Sequence, residues 1–201
     1  MKILNLYAGI GGNRILWGDE HEITAVEIDP KIAAIYSHFF PTDIIIVGDA
    51  HEYLLEHFKE YDFIWSSPPC PTHSRARWWR WGKDKPMYPD MRLWQEIIFL
   101  QYHAKRRPLW VVENVIPYYK PLIKPTIKIN RHYFWANFKI TPFYVFENYT
   151  VTKDYFDQRA KNFGLDLSQF SIPYKERRRF ARNMVHPEIG KHILDCAVSA
   201  R

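Results

Sequence analysis

The sequence predicts an α/β chain built on a mostly parallel sheet with helices on both faces. Three observations predict it. Short runs that are apolar throughout recur over the first two-thirds of the chain, as strands buried on both faces must. Segments of helical periodicity separate them. At 201 residues, 47% of them hydrophobic, the chain holds one domain with a real core but not two large ones.

In order, Lys2–Tyr7 (KILNLY) reads as a strand, followed by a Gly turn and a helix through about Trp17. Glu22–Ile28 is a second strand, and Pro30–Phe39 a helix with Pro at its first turn. Asp43–Val47 is a third strand, with a helix over roughly His51–Phe58. Tyr61–Ser66 is the fourth, Asp90–Lys105 has helical periodicity, and Leu109–Glu113 is the fifth. Beyond Ile116 the alternation fails. Pro117, Pro121, Pro125 and Pro142 break the segment, and Lys128–Ile140 reads as extended chain or a hairpin. Residues 139–179 are polar, aromatic and basic without a clear period, and Asn183–Val198 is helical again. Parallel sheets of this kind bind ligands at the carboxyl ends of their strands, so the chemistry is sought there.

No apolar run approaches the roughly 20 residues that span a bilayer. The start MKILNLYAGIGG leads into a glycine turn and a charged segment rather than a cleavage site, so it is not expected to be a signal peptide. Two cysteines, Cys70 and Cys196, make no disulfide framework and no zinc spacing; a cytoplasmic chain with reduced thiols and no metal is expected. A formal charge of +6 and a pI near 9.2 favour a polyanionic partner. An aromatic content of 17% with eight tryptophans fits nucleic acid, and equally a tightly packed small enzyme.

The first strand ends in Tyr7-Ala8-Gly9-Ile10-Gly11-Gly12, where glycines let the backbone turn sharply and approach a ligand. A dinucleotide fingerprint would need Gly at position 14, which holds Arg14, so this is a nucleoside-cofactor loop of another pattern. Glu27 closes the second strand, where a carboxylate accepts ribose hydroxyls. Gly48-Asp49 ends the third, placed to meet an adenine edge. Any one of these is commonly only a tight turn; three in register at successive strand ends point to a cofactor.

The fourth strand ends in Ser66-Ser67-Pro68-Pro69-Cys70-Pro71. Free cysteines are mostly inert packing residues. This one follows a strand end in a loop stiffened by three prolines, which presents the thiol to the cleft. Arg75 and Arg77, close in sequence, are expected to help hold it as thiolate. The fifth strand closes on Glu113-Asn114-Val115, which makes Glu113 a candidate acid.

The ordered set Tyr7–Gly12, Val26–Asp29, Gly48–Ala50, Ser67–Cys70, Val111–Val115 and Arg182–Ile189 resembles the cytosine-5 DNA methyltransferases along nearly the whole chain. The Pro-Pro-Cys and Glu-Asn-Val pair is the specific part; amino-methyltransferases carry an aromatic residue where Cys70 stands. The resemblance implies a Rossmann-like fold dependent on S-adenosyl-L-methionine (SAM), released as S-adenosyl-L-homocysteine. It implies that Cys70 adds to carbon 6 of a flipped cytosine while Glu113 protonates or hydrogen-bonds N3, so that carbon 5 takes the methyl group. By the same carry-over Tyr7, Gly9, Gly11 and Gly12 meet the cofactor, Glu27 its ribose, and Ile28, Asp49 and Pro68 its adenine. Asn183 and Val185 close the methionine side, Asn114 orders the Glu113 loop, and Arg131 positions the cytosine carbonyl and phosphate.

Departures from the family pattern are Arg182-Asn183 for Gly-Asn, Pro71-Thr72-His73-Ser74 after the nucleophile, and Asn130-Arg131-His132-Tyr133 in the arginine strand. The target-recognition region is reduced to residues 139–179, inserted in a catalytic domain of 1–138 plus 180–201. Residues 75–85 (RARWWRWGKDK) and 175–182 (KERRRFAR) are expected to touch nucleic acid, through Arg75, Arg77, Trp78, Arg80, Arg177, Arg178 and Arg179. The expected partner is double-stranded DNA, and compactness suggests a phage or restriction-modification setting. A tRNA cytosine-5 methyltransferase and a non-catalytic nucleic-acid-binding module are the competing readings.

Overall fold

The computed structural model describes residues 1–79, 85–146 and 155–201. Among them seven strands form one sheet: β1 (Lys2–Leu6), β2 (Glu22–Glu27), β3 (Ile44–Val47), β4 (Phe63–Ser66), β5 (Leu109–Val115), β6 (Ile127–Ile129) and β7 (His132–Ala136). Their order is β3-β2-β1-β4-β5-β7-β6. The first five are parallel, and β7 runs antiparallel to both β5 and β6. The chain moves outward from β1 to β3, then returns to place β4 on the other side of β1. The crevice between β1 and β4 is therefore the topological switch point, where strand ends diverge and leave room for a ligand.

Why the strands are apolar on both faces is plain from what each face meets. Ile3, Phe63, Trp65, Val111 and Phe134 pack against helix α7 (Pro187–Ser199) through Ile189, Ile193 and Leu194. Their neighbours Leu4, Leu6, Ile64, Trp110, Val112 and Trp135 pack against α2 (Ala50–His57) and α4 (Arg92–His103). Each such side chain contributes about 1.5–3 kcal/mol on burial, so neither face can be left to water.

Helix α1 (Pro30–Phe39) has the bounds its sequence predicts, with Pro30 in its first turn and the Asp29 side chain accepting from Lys31 N. The predicted helix between the glycine loop and Trp17 does not form. Bonds from Gly11 N to Ala8 O, Arg14 N to Gly11 O and Trp17 N to Arg14 O make successive turns instead. The competing forces are side chains: Arg14 is drawn into a buried ion pair with Asp43 at 2.9 Å, and Asn13 into a bond with Asn5 at 2.8 Å.

The segment without a sequence period also differs from expectation. It contains α5 (Tyr155–Asn162) and α6 (Tyr174–Asn183), after the short α3 (Ala76–Trp79) earlier in the chain. Ala160, Phe180 and Ala181 on these helices, with Leu165 and Leu167 between them, join Ile10 and Ile35 in one cluster. Ile140 and Val145 lie in the core under α7. Residues 139–146 and 155–179 thus share cores with the sheet and the glycine loop. The period was masked because α6 is a basic helix with a narrow buried stripe. Among the described residues no helix is long and apolar enough to cross a membrane.

Candidate active site

The loops at the carboxyl ends of β1, β2, β3, β4 and β5 carry the residues picked out from the sequence. After β1, Tyr7 and Gly9 both take left-handed backbone, at φ 56°. For tyrosine that conformation costs energy and needs support from its surroundings. The Tyr7 hydroxyl supplies it by donating to Glu96 Oε1. Gly9 N donates to Glu27 Oε2 at 3.0 Å and Asp29 N to Glu27 Oε1 at 2.9 Å. A carboxylate offers about four acceptor sites, so Glu27 holds the loop and keeps capacity for a ligand's hydroxyls.

The glycines differ in their reasons. A Cβ on Gly11 would meet Phe40 at 2.3 Å, and one on Gly12 would meet Met184 at 1.9 Å and the Val185 carbonyl at 2.6 Å. Both are glycine because α1 and the segment after α6 press against the loop. A Cβ on Gly9 would meet nothing nearer than the Tyr7 carbonyl at 4.0 Å, so there the bare backbone faces open space. Beside it Ile28 is 64% exposed, an apolar surface at a strand end. Asp49 caps α2 through His51 N at 2.8 Å and accepts from Arg92 Nη1 at 3.2 Å.

Cys70 follows β4. Its carbonyl accepts from His73 N and Ser74 N, closing a turn that Tyr118 N and the Ser74–Pro117 bridge fasten to the chain after β5. From β5, the Asn114 side chain donates to the Pro68 carbonyl at 2.8 Å. Burial pushes the Cys70 thiol up, and the Glu113 carboxylate adds to that; Arg182 and Arg131 pull the other way. The cations that act most on Cys70 are thus Arg182 and Arg131, ahead of the expected Arg75 and Arg77. Arg75 Nε donates to the Pro117 carbonyl at 3.4 Å, and Arg77 turns to Met87 and the Lys85 carbonyl.

Glu113 is buried near the end of β5. Burial pushes its carboxyl up to about 7, against the Ser67 hydroxyl bonded to it and the charge of Arg131. Ser67 in turn accepts from Trp65 Nε1 at 2.7 Å. His132 Nε2 stands 3.6 Å from Glu113 Oε1. Burial, then Arg131 and Arg159, push His132 down to about 3, so it is neutral. Arg131 arrives here because β6 and β7 form a tight hairpin: Asn130 takes φ 49°, and Ile116 N bonds the Arg131 carbonyl at 3.1 Å. That sets the hairpin tip at the carboxyl end of β5.

A family model for C-5 cytosine-specific DNA methylases matches residues 1–116, more than half of the chain. The chain belongs to that family. The matched stretch holds the glycine loop, Glu27, Asp49, Cys70 and Glu113; Arg131, Asn183 and Val185 lie beyond it. Among curated proteins it is similar to a tRNA (cytosine(38)-C(5))-methyltransferase of Spodoptera frugiperda, 32% identical over 80 residues, or 37% of this chain and 24% of that one. Among solved structures it is similar to Spodoptera frugiperda DNMT2 (28% identity, 57% of this chain, 35% of that one, TM-score 0.40). Entamoeba histolytica methyltransferase EhMeth is another (16% identity, 57% and 38%, TM-score 0.39). The chain therefore spans about a quarter to two-fifths of these proteins' lengths.

Of the residues expected at the nucleic acid, Trp78 is 54% exposed and Arg179 is exposed, while Arg177 and Arg178 are half-buried. Arg177 Nε lies 3.8 Å from Asp157, and both Arg177 and Arg178 sit over the Tyr174 ring. Arg179 Nη2 is 3.9 Å from Asp29. Arg80 lies outside the described residues.

Sequence reasoning gave no role to Glu96, Ser67 or His132, and placed Arg182 only in the basic cluster expected at the nucleic acid, not at the thiol. Glu96 had a visible signal: it falls with Leu93, Ile97 and Leu100 on the apolar stripe of α4, where an unpaired acid would be costly. Arg182 had none, since only the packing of α6 turns it toward Cys70.

Proposed function

We propose that the chain transfers a methyl group from SAM to carbon 5 of a flipped cytosine in double-stranded DNA. The observation that carries this is the pairing of Cys70 with a buried Glu113 whose carboxyl titrates near neutrality, at the ends of adjacent parallel strands. The donor loop fits a nucleoside methyl donor: Gly9 opens onto free space, Gly48 meets only Ile46 at 3.9 Å, and Glu27 and Ile28 offer acceptors beside an apolar face. Asp49 and Pro68 would flank the adenine, with Asn183 and Val185 closing the far side. When bound, the sulfonium supplies an electrophilic methyl group.

The protein's own groups do the rest. The Cys70 thiol must lose its proton, and Arg182 and Arg131 stabilise the thiolate against the cost of burial. Thiolate addition to carbon 6 pushes electrons toward N3, where a protonated Glu113 gives up its proton. A carboxyl at about 7 is held half-protonated at neutral pH, which suits that exchange. Carbon 5 is then nucleophilic enough to be methylated; a base takes the carbon 5 proton, the Glu113 carboxylate takes back the N3 proton, and Cys70 leaves as thiolate as the ring double bond re-forms.

A second reading, methylation of tRNA, draws support from the 32% identity to the tRNA (cytosine(38)-C(5))-methyltransferase over 80 residues. Methyl incorporation into duplex DNA and into tRNA, compared side by side and mapped by bisulfite sequencing, separates the two. Cys70→Ala should lower transfer by about 10³-fold or more. Transfer at an undiminished rate would defeat the covalent mechanism.

A further inference from the structure

Glu96 is 1% exposed, yet three side chains from three other elements converge on its carboxylate. The Tyr7 hydroxyl from the end of β1 and His51 Nδ1 from the first turn of α2, at 2.9 Å, share Oε1. The Ser66 hydroxyl from the last residue of β4 donates to Oε2 at 2.6 Å. A buried carboxylate costs several kcal/mol unless it is satisfied, and here every partner is a donor. His51 is the partly exposed member of the group, and none of these bonds reaches Cys70 or Glu113.

What the three donors have in common is position. Tyr7 opens the glycine loop in left-handed backbone. His51 follows Asp49, whose carboxylate caps α2 and pairs with Arg92 on the same helix as Glu96. Ser66 lies at the switch point, one residue before the loop that carries Pro68 and Cys70. One acid thus clamps the three strand ends that surround the donor crevice. We propose that Glu96 is a positioning residue of the methyl-donor site, holding Tyr7 and with it the glycine loop in the conformation that receives SAM. This rests on the donor reading given above.

The test is calorimetric titration of S-adenosyl-L-homocysteine into the wild type, Glu96→Gln, Tyr7→Phe and the double variant, with thermal unfolding of the ligand-free proteins. Glutamine keeps the shape and can still be satisfied, because the Ser66 hydroxyl can reverse its bond. Each single change should weaken binding by about tenfold, as loss of one charge-assisted hydrogen bond does. The double variant should be no weaker than the poorer single one, since both remove the same interaction. In turnover the loss should fall on KM for the donor rather than on kcat. Should Glu96→Gln fail to fold, Tyr7→Phe, which loses only a hydroxyl, carries the same expectation. Binding within twofold of wild type in the folded variants, or losses that multiply in the double variant, would overturn the proposal while leaving the donor reading intact. Wild-type protein that binds no S-adenosyl-L-homocysteine would overturn the donor reading, and this proposal with it.

Discussion

The Asn114 amide donates to the Pro68 carbonyl at 2.8 Å, and its own carbonyl oxygen accepts from Val115 N at 3.0 Å. One side chain on β5 therefore fixes both the loop leading to Cys70 and the turn just past Glu113. Asn114→Ala strips a buried carbonyl of its partner, so it should cost about 1–3 kcal/mol in denaturant unfolding. On the proposed mechanism methyl transfer should fall through kcat more than through KM, because Cys70 and Glu113 lose their relative placement. A variant as stable and as fast as wild type would show the bridge to be incidental.

Glu113 sets a pH dependence with a definite sign. Its carboxyl rises from 4.5 to about 7 on folding, so between those values the native state holds more protons than the unfolded one. Stability contributed by this group is present below pH 4.5 and is lost as pH rises toward 7. Glu113→Gln removes the loss. The variant should gain on wild type by up to about 3 kcal/mol between pH 4.5 and 7 in urea titrations, then hold that gain. His132, pushed down to about 3, acts oppositely: its contribution falls as pH drops below 6.5, and Glu113→Gln leaves that slope in place.

Arg182→Ala should raise the Cys70 pKa further, since it removes an opposing charge. The rate of iodoacetamide alkylation at Cys70 against pH reads this directly, and its midpoint should move to higher pH. Arg131→Ala should move it the same way. Arg75→Ala and Arg77→Ala should move it less, because their guanidinium groups are bonded to the Pro117 carbonyl and to Met87 and the Lys85 carbonyl.

Gly12→Ala puts a methyl group 1.9 Å from Met184 Cγ and 2.6 Å from the Val185 carbonyl. The methionine can move; the backbone carbonyl cannot move cheaply. We expect a loss of about 1–3 kcal/mol in thermal unfolding and weaker binding of S-adenosyl-L-homocysteine. Gly9→Ala meets no such obstacle and should act through its backbone alone, at φ 56°.

How much of this was legible beforehand differs from element to element. Strands β1 to β5 were readable within about two residues at each end, since burial on both faces leaves an apolar run in β1, β2, β4 and β5, and the edge strand β3 keeps the run Ile44–Val47 though it is partly exposed. Helix α1 announced itself through Pro30 and the Asp29 cap. The turns at 10–17 were not readable, because Arg14 leaves a helical pattern for an ion pair with Asp43, set by the fold and not by its neighbours. Helices α5 and α6 hid in polar sequence, their few buried residues answering to Ile10 and Ile35 far away along the chain.

That Cys70, Glu113, Glu27 and Asp49 gather at one edge of the sheet was legible in the sequence, because each stands at or just after the end of a strand and a parallel sheet delivers its strand ends to one edge. The tertiary structure decided what surrounds them. It made Arg182 and Arg131 the cations that act most on the thiol, and it buried Glu113 far enough to titrate near neutrality. It also brought Tyr7, His51 and Ser66 onto Glu96. Local sequence encodes which residue ends a strand; strand order and helix packing determine which distant side chains reach it, and electrostatics depends on that reach.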